Sequence, residues 1–589
     1  MEDERVARIL RVMPGVLLAF IIIVHFLFLL AHFAPAISTP DAHGYWFQAR
    51  LLATSGHTWF VPQSAIQYID QAHWYPAASG RYYSMYPPGL PLIAAAVYRL
   101  FGYGASLLVN PILASLSLLG FFLLLRLVLG PWWGLAGVSL LAVNPVFNQQ
   151  ALWSFAHIAV LFCLVWGSYF LLRWSVRRKP WEAFLAGLFF GCIPAIRYPE
   201  ALFVLAAAAF FLWNLRKHRR ALAHGLPALA GAALPLVPLL IRNQLAFGAF
   251  YRTGYSFAQG TMGFDFGWSY FGKNFGQYIL SFYKVGLGLL LFTGLAGMVG
   301  MCLDRRSRRI GALSLLLTIP LLLLYSFYFW PANPQAVATM RFLIPTFVFY
   351  ILGTLWLAKF AAEQVSIRLQ RPGEISRITA VLAPSIVAAL LLYGFLWGGS
   401  LALAEARRVH YQNTVLARVA DALEGNIENG DVVIAHPQIQ QNLDCVGLWR
   451  LADLTSLGPG PGERAQDGGL PAGPNGTGPR EDEGRIGVGG PAGQVRESWM
   501  ASQLAEWAGG NRVYYVGTRQ DLERMRGKFF NQESFWIVST ISIPAPADIP
   551  VAEPLKGNGR AQGDPAKDWW SALQGESELV VAEWSSGAP

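Results

Sequence analysis

Charge is what this 589-residue chain has little of. Asp, Glu, Lys and Arg make up 14% of it, against roughly 25% in soluble domains, which excludes an ordinary soluble protein. Carboxylates are scarcest: between Pro14 and Ala404 they are Asp41, Asp70, Glu182, Glu200, Asp265, Asp304, Glu363 and Glu374, and none falls in the middle of an apolar run. Ion-coupled transporters place ionisable groups near the bilayer midplane, so this absence argues against one. Cysteine is also rare. Cys163, Cys192 and Cys302 lie in apolar runs, where a thiol behaves as a small apolar residue, and only Cys445 lies outside them. No disulfide framework is available, and no internal repeat is visible.

What the chain has instead is apolar length. Hydrophobic residues make up 54% of it, and runs of about 20 residues, long enough to span a bilayer, recur from residue 13 to 404. Eleven spans are expected, near 13–34, 104–125, 133–149, 152–172, 182–196, 199–214, 225–241, 278–302, 310–330, 342–360 and 379–404. Basic clusters at Arg173–Lys179, Arg216–Arg220, Arg305–Arg309 and Lys359–Arg377 all fall on one side if the N-terminus is cytoplasmic, as the positive-inside rule requires. The first outer loop, the loop 242–277 and the C-terminal region then face outward. Leu90–Phe101 reads as an amphipathic or re-entrant helix on that outer face. The net charge of +10 is thus a topology signal, with no nucleic-acid partner implied. Arg5, Arg8 and Arg11 precede the first span, which is too long for a signal peptide and lacks a good cleavage site; an uncleaved anchor is expected.

Residues 1–404 are therefore expected to form a membrane domain with an outer loop at 35–103, and 405–589 a small α/β tail. In that tail Asp431–Ala435, Arg512–Val516 and Ser534–Ser542 read as strands. The Gly- and Pro-rich stretch 458–493 has no hydrophobic periodicity and reads as a disordered insert.

One carboxylate stands out. Asp41, in Thr39-Pro40-Asp41-Ala42-His43-Gly44-Tyr45, lies just beyond the first span, beside a loop too polar to cross a membrane. Asp is a favoured helix N-cap, and it is also a base able to take a proton from an attacking hydroxyl; the two roles are compatible. Arg197, in Ile196-Arg197-Tyr198-Pro199-Glu200, and Arg341, in Met340-Arg341-Phe342, end apolar runs on the outer side. Each suits a snorkelling anchor or a bidentate phosphate ligand. Arg242 beside Asn243 suits the anchor role, and His157 opens the fourth span. Tyr82, Tyr83 and Tyr86 suit either an interfacial aromatic belt or stacking on sugar.

These segments, in this order, resemble the GT-C membrane glycosyltransferases, above all the protein O-mannosyltransferase and aminoarabinose transferase group (glycosyltransferase family 39 type). The resemblance rests on Asp41 with Tyr45, Ala49 and Gly56, on Tyr83-Ser84-Met85-Tyr86-Pro87-Pro88-Gly89-Leu90-Pro91-Leu92, on Asn144-Pro145-Val146-Phe147, on Arg197-Tyr198-Pro199-Glu200 and on Arg341-Phe342-Leu343-Ile344-Pro345. It covers roughly residues 10 to 400 and leaves out the tail. It implies an all-α polytopic GT-C-like membrane domain with a small extracytoplasmic α/β domain, in a cell (inner) membrane. The implied activity is inverting transfer of a sugar from a polyprenyl-phosphate donor to a glycan, lipid or protein acceptor, with membrane lipid around the protein. Asp41 takes the family's general-base position, and Arg197 and Arg341 are the expected phosphate ligands. His43, Tyr45, Tyr82, Tyr83, His157, Glu200 and Asn243 are further candidates for substrate contact. Family members commonly have Glu where Ala42 stands and Asp where His157 stands, which bears on acceptor type and on any metal site. No cofactor or metal is indicated, and a divalent ion is left open. A flippase or transporter of lipid-linked sugars would share the outer basic groups without needing Asp41.

Overall fold

The computed structural model describes residues 2–70, 73–77, 79–215, 221–256, 266–330, 332–368, 375–453, 502–529, 535–544, 570, 573 and 576–584. The insert 458–493 and Asp265 lie outside the described residues. Apolar runs become helices here because hydrocarbon offers no partners to backbone N–H and C=O, and a helix satisfies them within the segment. Among the described residues, seven helices are long and apolar enough to cross a membrane: Val12–Ala31, Val109–Val128, His157–Arg177, Ala223–Phe247, Arg308–Ser326, Ile344–Val365 and Val381–Asn426. Trp268–Gly286 with Leu290–Leu303 adds one more pair, bent by 110°. The other three expected spans are shorter helices: Pro180–Ile196, Pro199–Leu215, and a stretch divided into Pro131–Ala142 and Pro145–Leu152. Pro145 causes that division, since it lacks an N–H and disfavours helix at the residue before it; Asn144 caps the new helix by accepting the Phe147 N–H at 3.1 Å. The chain is a multi-pass, mostly helical membrane protein with a small sheet-containing C-terminal region.

Two compact units divide the chain. The first contains Met1–Phe60 and Ala72–Thr414. Within it the helices Pro180–Ile196 and Ala221–Phe247 touch backbone to backbone. A Cβ on Gly187 or Gly191 would strike the carbonyls of Ala228 or Ala232, and one on Gly231 the carbonyl of Phe184. Small residues permit this approach where no hydrophobic effect drives helices together in lipid. The contact matters for function because Arg197 directly follows one helix, and Arg242 and Asn243 lie near the end of the other. The loop after the first span folds on the helix Pro40–Ser55 as a three-stranded antiparallel sheet, β1 (Trp59–Phe60), β2 (Trp74–Pro76) and β3 (Tyr82–Ser84), in the order β1-β3-β2. Leu90–Phe101, the segment expected to be amphipathic or re-entrant, lies in the helical stretch Gly89–Ser106, which is broken at Gly102 (φ 83°) and leaves Leu92, Ile93, Leu100 and Phe101 exposed.

The second unit contains Val415–Ala547 and Gln562–Pro589 together with Val61–Gln71, so the boundary differs from the one expected at residue 404. Its strands are β4 (Val432–Ala435), β5 (Arg450–Ala452), β6 (Val513–Gly517), β7 (Phe535–Ser542) and β8 (Glu578–Trp584), in the order β5-β4-β6-β8-β7. β4 runs parallel to β5 and β6, and β8 antiparallel to β6 and β7. The loop segment belongs here for a physical reason. Ile66 is fully buried in this unit's core, the Tyr68 N–H donates to Leu451 O at 2.7 Å, and the Asp453 N–H donates to Ile66 O at 2.9 Å. β5 and β8, unlike the other three strands, were not anticipated.

The glycine contact yields a prediction. Gly187→Val should destabilise the protein by about 1–3 kcal/mol, the usual range for overpacking, and lower the midpoint of thermal unfolding in detergent. An unchanged midpoint would mean the two helices separate freely.

Candidate active site

The helix that carries Asp41 starts at Thr39, whose extended backbone (φ −136°, ψ 139°) marks the N-cap, with Pro40 next. Proline suits that place because its missing N–H would be unbonded there anyway. Asp41 is therefore inside the first turn, not the N-cap that the sequence allowed, and its negative charge suits the helix N-terminus. Its carboxylate is committed elsewhere. Oδ2 faces Arg341 Nη2 at 3.2 Å, and Oδ1 accepts a bond from His73 Nε2 at 3.2 Å. The side chain keeps 30% of its surface exposed, so a substrate can reach it.

Arg341 lies in the 3-10 turn Val337–Phe342, ahead of the helix that begins at Phe347. Its guanidinium stands 4.8 Å from the centroid of Phe342 and 5.3 Å from that of Phe155. Its Nε is buried with no hydrogen-bond partner among the described residues. Arg197 faces the same Phe342 ring at 5.8 Å, Tyr325 stacks on it at 4.6 Å and His157 meets it edge-on at 5.6 Å. Arg197 donates to Glu200 Oε1 at 2.8 Å and to the Tyr325 hydroxyl at 3.4 Å, and that hydroxyl donates to Glu200 Oε1 at 3.2 Å. Much of the Arg197 charge is thus already answered by a fully buried carboxylate.

Aromatic rings wall the other side. Tyr86 stacks on Tyr45 at 4.3 Å and on His73 at 5.5 Å, and Tyr255 meets it edge-on at 6.2 Å. The Tyr86 ring lies so near Gly44 that any Cβ there would collide with it. Burial pushes the Tyr45 and Tyr86 phenols up, so both remain protonated donors. For Asp41, burial acts to raise the carboxyl. The Arg341 guanidinium and the His73 bond outweigh that effect and hold it well below the usual carboxylate range.

Six sequence candidates meet here: Asp41, Arg341, Arg197, Glu200, Tyr45 and His157. Four lie elsewhere in their contacts. His43 stacks on Phe47 at 5.2 Å under the loop sheet, Tyr82 on Phe60 at 5.6 Å, and Tyr83 meets Phe247 edge-on at 6.2 Å. Asn243 accepts from the Tyr198 hydroxyl at 2.8 Å. Arg242 is no lipid anchor, since it donates to the Ser84 carbonyl at 2.8 Å and ties its helix to the loop. Sequence reasoning missed His73, Tyr255, Tyr325 and Phe342 and left Tyr86 unassigned. Phe342 had a signal, its adjacency to Arg341; His73 had none, because nothing in Gln71-Ala72-His73-Trp74 points at a site 32 residues upstream. Among the described residues no group of three or more His, Cys, Asp or Glu is placed to hold a metal ion.

Both the sequence and the fold are similar to those of known proteins. Residues 85–241 match the sequence profile of a family described as dolichyl-phosphate-mannose-protein mannosyltransferase. The fold is similar to that of ArnT from Cupriavidus metallidurans bound to undecaprenyl phosphate, with a TM-score of 0.55 at 11% identity over 97% of this chain and 99% of that one. ArnT from the same organism in the apo state gives a TM-score of 0.54 at 11% identity, over 88% of this chain and 95% of that one. No significant match emerged among curated protein sequences. The chain has the GT-C fold, and the resemblance read from its motifs is borne out.

The charge arrangement makes a testable prediction. In difference infrared spectra, the protonated-carboxyl band of Asp41, assigned by its loss in Asp41→Asn, should appear in the parent only well below about pH 3.9, the ordinary aspartate value. In Arg341→Gln it should appear at higher pH, because removing a nearby positive charge disfavours the carboxylate. Equal midpoints would mean Arg341 does not control Asp41.

Proposed function

We propose that this chain is an inverting glycosyltransferase. It moves a sugar from a polyprenyl-phosphate donor to a glycan, lipid or protein acceptor at the outer face of a cell (inner) membrane, with Asp41 as general base and Arg341 and Arg197 on the lipid phosphate. The observation that carries this reading is the 3.2 Å pairing of a partly exposed carboxylate with a guanidinium in a multi-pass helical protein. In one step the acceptor oxygen attacks the anomeric carbon from the face opposite the phosphate. The bond from that carbon to the phosphate oxygen breaks, its electron pair stays on the phosphate, and the acceptor proton passes to Asp41. One displacement inverts the configuration. Fixed guanidinium groups stabilise the charge that grows on the leaving phosphate, and Tyr45, Tyr86 and His157 bound the space around it.

The resting pair has a further consequence. A carboxylate held far below its ordinary range is ionised but a poor proton acceptor. A donor phosphate competes for Arg341, and as that guanidinium turns to it, Asp41 regains basicity. Base strength then rises only when the donor is in place. The resemblance to ArnT, crystallised with undecaprenyl phosphate, supports a lipid of that kind as donor.

The test is single-turnover transfer by purified protein from a panel of undecaprenyl-phosphate hexoses and pentoses. Asp41→Asn should bind undecaprenyl phosphate but react about 100-fold slower or worse, within the range for loss of a general base. Arg341→Ala should lose about 2–4 kcal/mol of transition-state stabilisation. Arg197→Ala should fall at the lower end of that range, because Glu200 engages it, and lysine at either position should rescue only partly. Unimpaired transfer by Asp41→Asn would remove the mechanism, and transbilayer movement of the lipid without transfer would favour the flippase.

The proposed topology places the N-terminus inside and residues 405–589 outside, from the positions of the basic loops. Reporter fusions after Lys179 and Arg309 should read cytoplasmic, and fusions after Pro62 and Asn426 external. A cytoplasmic reading at Asn426 would refute it.

A further inference from the structure

We propose that His73 is a positioning residue that keeps the Asp41 carboxylate aimed at the acceptor while Arg341 serves the donor phosphate; this rests on the transfer reaction proposed above. The two carboxylate oxygens have separate partners. Arg341 faces Oδ2 and His73 Nε2 faces Oδ1, each at 3.2 Å. A carboxylate only accepts, so Nε2 is the donor in that bond. Once a phosphate takes Arg341, Oδ2 is released to receive the acceptor proton, and His73 is left holding Oδ1. Without it the carboxylate turns freely, since the terminal torsion of aspartate is broad.

The imidazole is itself held firmly. His73 is 1% exposed. Its carbonyl accepts the Met85 N–H at 2.8 Å, and its ring lies on Tyr86 at an interplanar angle of 24°. Tyr86 in turn rests on Tyr45 and fills the space left by Gly44. An imidazole N–H also suits the task chemically. It fixes an oxygen by one hydrogen bond, and each of its effects on the carboxyl is smaller than that of the Arg341 guanidinium, whose full charge is the stronger check on basicity. The site therefore divides the work: Arg341 is the partner that leaves, and His73 the partner that stays.

Two variants separate donor from ring. His73→Gln keeps an N–H near the Nε2 position without the ring, and His73→Phe keeps a ring to stack on Tyr86 without the donor. In single-turnover transfer from the same undecaprenyl-phosphate sugars, His73→Phe should react on the order of 100-fold slower, as a misaimed reacting group does, with undecaprenyl phosphate affinity unchanged. His73→Gln should recover most of that loss. In an Asp41→Asn background His73→Phe should cost nothing further, because groups acting as one unit are non-additive. Parent-like transfer by His73→Phe, no rescue by His73→Gln, or a further full loss in the Asp41→Asn background would each overturn the proposal. If Asp41→Asn abolishes transfer while His73→Phe is parent-like, only the role of His73 falls. If Asp41→Asn transfers as well as the parent, the reaction itself falls, and the role of His73 with it.

Discussion

The pairing of Asp41 with Arg341 is the interaction around which the candidate site is arranged. At 3.2 Å and an effective dielectric of about 20 the gross attraction is on the order of 5 kcal/mol. Desolvating the two ions costs several kcal/mol each, so the pair adds little net stability. Its value is positional. It brings a carboxylate from the helix Pro40–Ser55 to a guanidinium some 300 residues later, in a place where charge is rare and each charged group therefore dominates its surroundings.

Everything around the pair limits where those two groups can go. Phe342 gives Arg341 and Arg197 a shared aromatic ring. Glu200 and Tyr325 engage Arg197 from its other side. The glycine contacts between Pro180–Ile196 and Ala221–Phe247 fix the helices from which Arg197 and Arg242 extend. A helix displaced by one added side chain would move both arginines, which links packing within the bundle to geometry at the candidate site.

The loop after the first span has two structural allegiances. Its strands β1, β2 and β3 belong to the membrane unit, while Val61–Gln71 belongs to the C-terminal unit and meets β5 through one isolated bridge, Gln67 with Ala452. The chain rejoins the membrane unit directly before His73, the second partner of Asp41. A tail that reads as a separate appendage in sequence is thus built partly from the loop that also forms the candidate site.

The membrane class, the helical spans, three of the five tail strands and the candidacy of Asp41, Arg197 and Arg341 were legible in the residues alone. Each is a local property: an apolar run needs a helix whatever surrounds it, and a charge beside such a run is conspicuous by its rarity. His73 and Tyr325 were not legible as site residues, because a histidine or an aromatic ring away from any conspicuous charge carries no local mark of what it will touch. The same limit hid Ile66, one isoleucine among many apolar residues, whose burial in the tail core only the fold decides. Sequence determined which segments enter the membrane and which charges are unusual enough to need a reason. Tertiary structure decided which of those charges meet, because contacts across hundreds of residues depend on helix packing that no local pattern encodes.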